Sequence, residues 1–167
     1  IDFGVGDVIV PKQEKRKIPT QLDDFTSPTV NTYSLETTIA EKLDAILDLM
    51  EFSSRMKDYY DIYYLANKFD FDGKVLTEAL KKTFENRGHT FTIEQFEQVM
   101  SFANDSAMQK KWKAFYRKID TKTDDFNTVL KTIKQFLTKP FTAAVKDEKF
   151  TDQWYSNENK WNKEIQK

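Results

Sequence analysis

Four charged side chains fall within one seven-residue stretch, Arg55-Met-Lys57-Asp58-Tyr-Tyr-Asp61. Asp58 and Asp61 are three residues apart, so on a helix their carboxylates project from neighbouring positions. Two carboxylates placed in this way suit three tasks: holding a cationic group, accepting a proton, or binding a hydrated magnesium ion. The spacing also allows intrahelical ion pairs in which Lys57 or Arg55 meets the aspartates, and spacing alone favours this structural alternative.

A lysine lies beside the apolar face of the preceding helix, in Ala40-Glu41-Lys42. At about 100° per residue, the apolar stripe is centred near Ile39, Leu43 and Met50, and Lys42 lies roughly 80° to one side of it. A lysine at this boundary can direct its ammonium group into a cleft. The structural alternative is that its alkyl chain follows the apolar surface and its ammonium group reaches water.

A third acidic candidate lies near the start of the chain, in Ile1-Asp-Phe-Gly-Val-Gly-Asp7. Asp2 falls on a predicted strand, and a strand-borne aspartate that faces a cleft could join a carboxylate cluster for a divalent metal. A solvated aspartate at a strand edge is the alternative. His89, the single histidine, is expected to be a loop residue. The chain contains no phosphate-binding loop, dinucleotide fingerprint, cysteine–histidine cluster or Ser-His-Asp candidate.

The elements that must position these residues are mainly α-helical. Residues 2–10, 17–22 and 29–33 are expected to be short β-strands of a larger sheet. From Ser34 onward the apolar residues follow a helical period, and helices are predicted over about 34–50, 54–67, 73–87, 93–102, 108–119 and 126–137. Pro140 is expected to end the sixth helix or to start a short final one. Short connections favour antiparallel neighbours in a bundle.

Three segments follow from this pattern. Residues 1–33 are predicted to be the remnant of a β-sheet, residues 34–145 the helical bundle, and residues 146–167 a polar C-terminal tail packed on the bundle.

Composition limits the class of protein. The chain has 167 residues, of which 39% are hydrophobic, and 14 Phe and 7 Tyr supply enough aromatic surface for a globular core. No apolar run reaches the roughly 20 residues of a membrane-spanning helix. The absence of cysteine excludes disulfides and fits a reducing cytoplasm. The formal net charge of −1 means that nucleic-acid binding would depend on local clusters of Lys and Arg.

The two charged motifs together carry a family resemblance. Ser34-Leu-Glu36 leading to Ala40-Glu-Lys42, followed by Arg55-Met-Lys57-Asp58-Tyr-Tyr-Asp61-Ile-Tyr, resembles the paired helical motifs of the AbiEii/AbiGii nucleotidyltransferase toxin family. The segment from Ile1 to Asp7 is similar to the strand that precedes them. The resemblance covers about residues 1–87. It implies a polymerase-β-like nucleotidyltransferase core followed by a helical bundle, in a toxin of abortive-infection, type IV-like toxin–antitoxin systems.

The resemblance also implies roles for individual residues. Asp2 would match the acidic residue of the family's second motif, which assists the metal-binding pair of the first. Lys42 would match the third-motif lysine, whose charge suits the phosphates of a nucleotide. Asp58 or Asp61 would match the fourth-motif acidic residue, which orients the acceptor hydroxyl or the lysine. The expected reaction is phosphoryl transfer from an NTP to an RNA acceptor such as transfer RNA, with magnesium assisting.

The chain departs from the family pattern in one respect. The first motif, a Gly-Ser element followed by an Asp-x-Asp pair on a strand, does not occur in it. Gly4-Val-Gly6-Asp7 does not replace that motif because it lacks the second carboxylate at the right spacing. We therefore expect the chain to be the C-terminal part of a longer enzyme and to be catalytically silent alone. Mg²⁺ and NTP are expected in the intact protein, and no tightly bound cofactor in this chain.

The alternative is a non-enzymatic helical module that binds an antitoxin or RNA, in which Lys42, Asp58 and Asp61 are only structural. Basic residues in Lys110-Lys111-Trp-Lys113 and Tyr116-Arg117-Lys118 could face RNA. A solvated helix face is the more common meaning of such a run. Charge reversal at Lys111 and Lys113 would separate these alternatives by its effect on RNA binding.

Overall fold

A computed structural model describes residues 6–20, 24–119 and 124–163 of the chain. The described residues form six α-helices: α1 (Leu35–Leu49), α2 (Met56–Lys68), α3 (Gly73–Arg87), α4 (Ile93–Ser101), α5 (Ser106–Tyr116) and α6 (Phe126–Lys146). They also form five short strands: β1 (Glu14–Lys17), β2 (Thr29–Thr32), β3 (Phe71–Asp72), β4 (Gln153–Tyr155) and β5 (Lys160–Asn162). The mainly α fold predicted from the sequence is confirmed.

The core lies between four of the helices. α1 packs against both α2 and α3, and each of these packs against α6. The apolar stripe predicted for α1 is buried: Ile39 and Leu43 are fully inaccessible, and Ile46 and Leu47 are 1% exposed. Lys42 lies on the shoulder of this stripe that faces α2, so the helix pairing determines what the lysine meets.

Local sequence signals fix the helix ends. Ser34 caps α1, with its hydroxyl accepting a hydrogen bond from the Thr37 amide at 3.1 Å. Thr92 and Gln95 form a reciprocal capping box at the start of α4. Gly88 ends α3 with φ +68°, in the left-handed region that glycine occupies without steric penalty. These predicted boundaries are confirmed.

The early strands differ from the expectation. Asp2 and its neighbours lie outside the described residues, but residues 6–10 are not in a strand. The Val10 amide instead donates to the Thr37 hydroxyl at 2.9 Å, and the Val10 carbonyl accepts from Ser34 and Thr37. The start of α1 therefore satisfies the backbone groups that a neighbouring strand would have used. The strand expected at 17–22 lies earlier, as β1, and pairs antiparallel with β2.

α6 continues without interruption through Pro140, which was expected to end it or to start a short final helix. Proline has no backbone N–H, so the carbonyl of Phe136, four residues earlier, loses its helical partner. The indole Nε1 of Trp161 donates to this carbonyl at 2.8 Å. The C-terminal hairpin thus supplies the hydrogen bond that the proline removes, and the helix persists.

This compensation should couple Pro140 and Trp161 thermodynamically. We expect Trp161→Phe to destabilise the protein partly by leaving the Phe136 carbonyl unpaired, and we expect Pro140→Ala to restore an intrahelical donor. In the Pro140→Ala background the cost of Trp161→Phe should therefore be smaller by about 0.5–1.5 kcal/mol. Urea unfolding of the four members of this double-mutant cycle measures the difference. Additive effects would contradict the compensation.

The C-terminal segment joins the core. β4 pairs antiparallel with β3 and with β5, and the register places Trp154 opposite both Phe71 and Trp161. Trp154 is fully buried and Trp161 is 9% exposed. The hairpin is therefore part of the hydrophobic core.

Candidate active site

Lys42 of α1 and two aspartates of α2 meet between these helices. The Lys42 Nζ lies 3.0 Å from Asp58 Oδ1 and 2.6 Å from Asp61 Oδ2. The side chains of Lys42 and Asp61 are 19% and 20% exposed, whereas that of Asp58 is 4% exposed. The structure thus brings together three of the four residues that the sequence singled out; the fourth, Asp2, lies outside the described residues.

Each aspartate also has a cationic partner on its own helix. Arg55 Nε lies 2.5 Å from Asp58 Oδ2, and Lys57 Nζ lies 2.6 Å from Asp61 Oδ2. The structural alternative of intrahelical ion pairs and the interhelical contact with Lys42 therefore coexist. Three cationic side chains alternate with two carboxylates, which leaves one net positive charge at the cluster.

The charge of Lys42 is stabilised by its partners. Burial lowers the pKa of Lys42, but hydrogen bonds and charge interactions with Asp61 and Asp58 raise it by more, so its pKa lies above the ordinary value. An ammonium group has three N–H donors. Asp58 and Asp61 take two of them, and among the described residues no partner takes the third, which could therefore donate to an anionic ligand.

The two aspartates are in different environments. Both oxygens of Asp58 have a cationic partner, Lys42 on Oδ1 and Arg55 on Oδ2. Asp61 receives both of its lysines on Oδ2, and within the described part of the chain nothing bonds to its Oδ1. Asp58 is therefore a buried anchor for two cations, whereas Asp61 has an oxygen available to a ligand.

These donors do not fit a magnesium ion. Mg²⁺ takes oxygen ligands in near-octahedral geometry, usually several waters with one or two carboxylates, but three of the four carboxylate oxygens of Asp58 and Asp61 already pair with cations. Among residues 6–20, 24–119 and 124–163, no group of three or more His, Asp or Glu side chains could hold a metal. The Asp-x-Asp pair at Asp70 and Asp72 has other roles: Asp70 accepts from Ser156, and Asp72 caps α3.

A second ionic cluster occupies the opposite shoulder of α1, facing α3. Arg87 at the end of α3 donates to Glu41, and its Nε lies 3.6 Å from Asp44 Oδ2. His89 Nδ1 lies 2.9 Å from Asp44 Oδ1. Burial raises the pKa values of Glu41 and Asp44, although Arg87 and His89 oppose the shift. Sequence reasoning missed this cluster, although the i, i+3 spacing of Glu41 and Asp44 was a signal for it.

Asp7, near the start of the described chain, is engaged by Tyr33. The Tyr33 hydroxyl donates to Asp7 Oδ2, and this hydrogen bond, with burial, raises the pKa of Tyr33 to about 12. Asn86 of α3 donates to the Gly6 carbonyl at 3.3 Å. The segment before β1 is therefore attached to the bundle through α1 and α3.

The basic stretch on α5 does not form a uniform cationic face. Lys111 donates to the carbonyls of Glu51 at 2.8 Å and Ser53 at 3.0 Å, so its ammonium group binds the connection between α1 and α2. Trp112 is 3% exposed and belongs to the core. Lys113 and Tyr116 border a cleft of about 410 Å³ that also contains Asp124 and Asp125.

Comparison with known proteins gives one match. A protein-family model described as the nucleotidyl transferase AbiEii toxin of a type IV toxin–antitoxin system matches residues 1–153. No curated protein and no solved structure shows a significant match to the chain. Among the helices of the described residues, none has the length and apolar character needed to cross a membrane.

Proposed function

Because the chain belongs to the AbiEii nucleotidyltransferase toxin family of type IV toxin–antitoxin systems, we propose that it contributes the nucleotide-phosphate and acceptor-hydroxyl contacts of an enzyme that transfers nucleotides from an NTP to an RNA acceptor. The observation that carries the proposal is the ammonium group of Lys42, held between Asp58 and Asp61 with no third partner in the part of the chain that the structure describes.

In this proposal Lys42 acts on the triphosphate. Phosphoryl transfer depends on positioning and on neutralising the charge of the phosphate oxygens. The two aspartates fix the ammonium group before the nucleotide arrives, so little reorganisation is needed when charge develops. The remaining N–H of Lys42 then donates to a phosphate oxygen.

Asp61 is the carboxylate that we assign to the acceptor. Its Oδ1 is open within the described residues, and its side chain is 20% exposed. A hydroxyl that donates to this oxygen would be oriented for attack, and the carboxylate could accept its proton. Asp58 has no contact with the substrate in this proposal. It is a positioning residue that holds Lys42 and Arg55.

Substitution of the two aspartates separates these roles. We expect Asp61→Asn in the full-length protein to lower kcat by about 10²–10⁴-fold with little change in thermal stability. Asp58→Asn should lower the melting temperature more than Asp61→Asn does, because it removes a buried charge that pairs with two cations. Single-turnover transfer of labelled nucleotide and thermal unfolding measure the two effects. Near wild-type transfer by Asp61→Asn would refute its assignment.

We propose that the metal carboxylates come from elsewhere in the protein. Residues 1–33, with Asp2, would belong with the nucleotidyltransferase core, residues 34–145 would form the bundle that supplies Lys42 and Asp61, and residues 146–167 would be the tail that packs on it. Magnesium and NTP remain predictions for the intact enzyme, as do an antitoxin partner and a cytoplasmic location.

The transfer assay tests the proposal directly. Radiolabelled NTP, magnesium and total transfer RNA are supplied to the full-length protein and to the 167-residue chain. We expect label in RNA with the former and none with the latter. Robust incorporation by the 167-residue chain would contradict the assignment of the metal carboxylates, and no incorporation by the full-length protein into any RNA would contradict the transferase proposal.

A further inference from the structure

Hydrogen bonds tie the connection between α1 and α2 to the residues around it. The Ser53 amide donates to the Met50 carbonyl at 3.1 Å, and the Arg55 amide donates to the Ser53 hydroxyl at 3.1 Å. Ser53 is fully buried. From α5, Lys111 binds the carbonyls of Glu51 and Ser53. Phe52 lies between those two carbonyls, so hydrogen-bonded backbone groups flank it on both sides.

Phe52 is the most exposed large hydrophobic residue that the structure describes, at 84%. An aromatic ring held in water on a restrained backbone is a surface that loses little conformational entropy when a flat partner stacks on it. Leu49, one turn earlier, is only 38% exposed. Phe52 is thus the more exposed of these two apolar side chains by a wide margin, and a single ring is small for a protein interface.

Arg55 lies three residues beyond Phe52 and belongs to the charged cluster. Its Nε binds Asp58 Oδ2, and within the described residues nothing pairs with the terminal Nη donors of the guanidinium group. Its side chain is 59% exposed, and Asp58 on its other side binds Lys42. A phosphate at Arg55 would therefore lie one carboxylate away from the ammonium group of Lys42.

We propose that this connection binds the single-stranded end of the acceptor RNA, with a nucleobase stacked on Phe52 and a backbone phosphate on Arg55. The inference rests on the transferase function proposed above and names the surface that recognises its acceptor. Single-stranded RNA is read by aromatic stacking and by arginine contacts to phosphate, and both groups are present here next to a cluster with net positive charge.

The test uses the full-length protein and a fluorescent single-stranded oligoribonucleotide, without NTP, so that binding is measured independently of transfer. We expect Phe52→Ala to weaken binding about 5- to 150-fold, the range for loss of one stacked base, and Phe52→Trp to retain it. Arg55→Gln should weaken binding and reduce the slope of log Kd against log salt concentration by about 0.7. Phe25→Ala is the matched control, because Phe25 is 64% exposed in the β1–β2 connection.

Wild-type RNA binding by Phe52→Ala would overturn this inference. If Phe52→Ala kept wild-type RNA binding but lost binding of the purified antitoxin, the connection would be a protein interface instead. The transferase proposal fails by a different result, namely no incorporation of label into any RNA by the full-length protein, so the two failures are distinguishable.

Discussion

Replacement of Lys42 by methionine is expected to lower the kcat of nucleotide transfer by about 10²–10³-fold, the usual effect of removing one donor that stabilises developing charge. Methionine keeps most of the length of the side chain but removes all three N–H donors. The loss should appear mainly in kcat, because the ammonium group is expected to act most strongly when charge accumulates on the transferred phosphoryl group. Initial rates of label incorporation by the full-length protein measure it.

Two controls separate chemistry from folding. Lys134→Met removes an equally long cation that pairs with Glu97 on the bundle surface, and it should leave transfer unchanged. In Lys42→Met, the buried carboxylate of Asp58 keeps Arg55 as its only cationic partner of the two. The double variant Lys42→Met/Asp58→Asn also removes that carboxylate charge. This double variant should recover thermal stability but not transfer. Activity within a few-fold of wild type in a folded Lys42→Met protein would refute the assignment.

The environment of Lys42 also determines the pH range over which its ammonium group stays charged. Its pKa is raised in the folded protein, because hydrogen bonds to Asp61 and Asp58 outweigh the lowering effect of burial. A group with a raised folded-state pKa gives stability that is fully present below its unfolded pKa and is lost as pH rises through the folded value. The ammonium group therefore stays charged across the neutral range, and loss of transfer near neutral pH must come from another group.

The sequence predicted the helices well because their signals are local. Ser34, Gly88 and the Thr92–Gln95 capping box act within a few residues of each helix end, and the apolar period of α1 needs only its own turns. The strands were predicted less well. The Val10 backbone groups are satisfied by Ser34 and Thr37, more than twenty residues away in sequence, and no local pattern indicates that pairing.

The sequence proposed residues for the candidate site, of which Asp2 lies outside the described residues, but it did not indicate how the other three are arranged. The resemblance identified Lys42 and the two aspartates, and periodicity placed Lys42 beside the apolar stripe. Helical spacing alone put Asp58 and Asp61 on one strip and could not show that Asp58 is buried while Asp61 is open. That difference depends on how α1 crosses α2, which is set by packing of the whole core.

The C-terminal hairpin shows the same limit. The polar composition of residues 146–167 predicted a tail packed on the bundle but did not indicate the hairpin in which Trp154 is fully buried. β4 is only three residues long, and it pairs with β3 across more than eighty residues of sequence. Two isolated tryptophans in a polar segment do not form a hydrophobic period of either helix or strand, so the hairpin could be recognised only from the tertiary structure.

The burial of Trp154 leads to the largest stability effect that we expect. Its ring contacts Phe136 with a centroid separation of 4.9 Å, and its Nε1 donates to the Ala66 carbonyl at 2.7 Å, near the end of α2. Trp154→Ala should destabilise the fold by about 3–5 kcal/mol and lower the melting temperature by roughly 6–20 °C. Thermal unfolding followed by circular dichroism measures the change.

A second substitution tests the packing of the C-terminal segment against the helices by a different mechanism. Alanine normally stabilises a helix relative to glycine by about 1 kcal/mol. At Gly73, however, a Cβ would lie 2.6 Å from the Asp152 carbonyl and 2.6 Å from the Phe150 ring, where the C-terminal segment crosses the start of α3. Gly73→Ala should therefore destabilise the protein by about 1–3 kcal/mol. If both variants unfolded at the wild-type temperature, the hairpin would not be packed in the core, and Trp161 could not supply the hydrogen bond that carries α6 through Pro140.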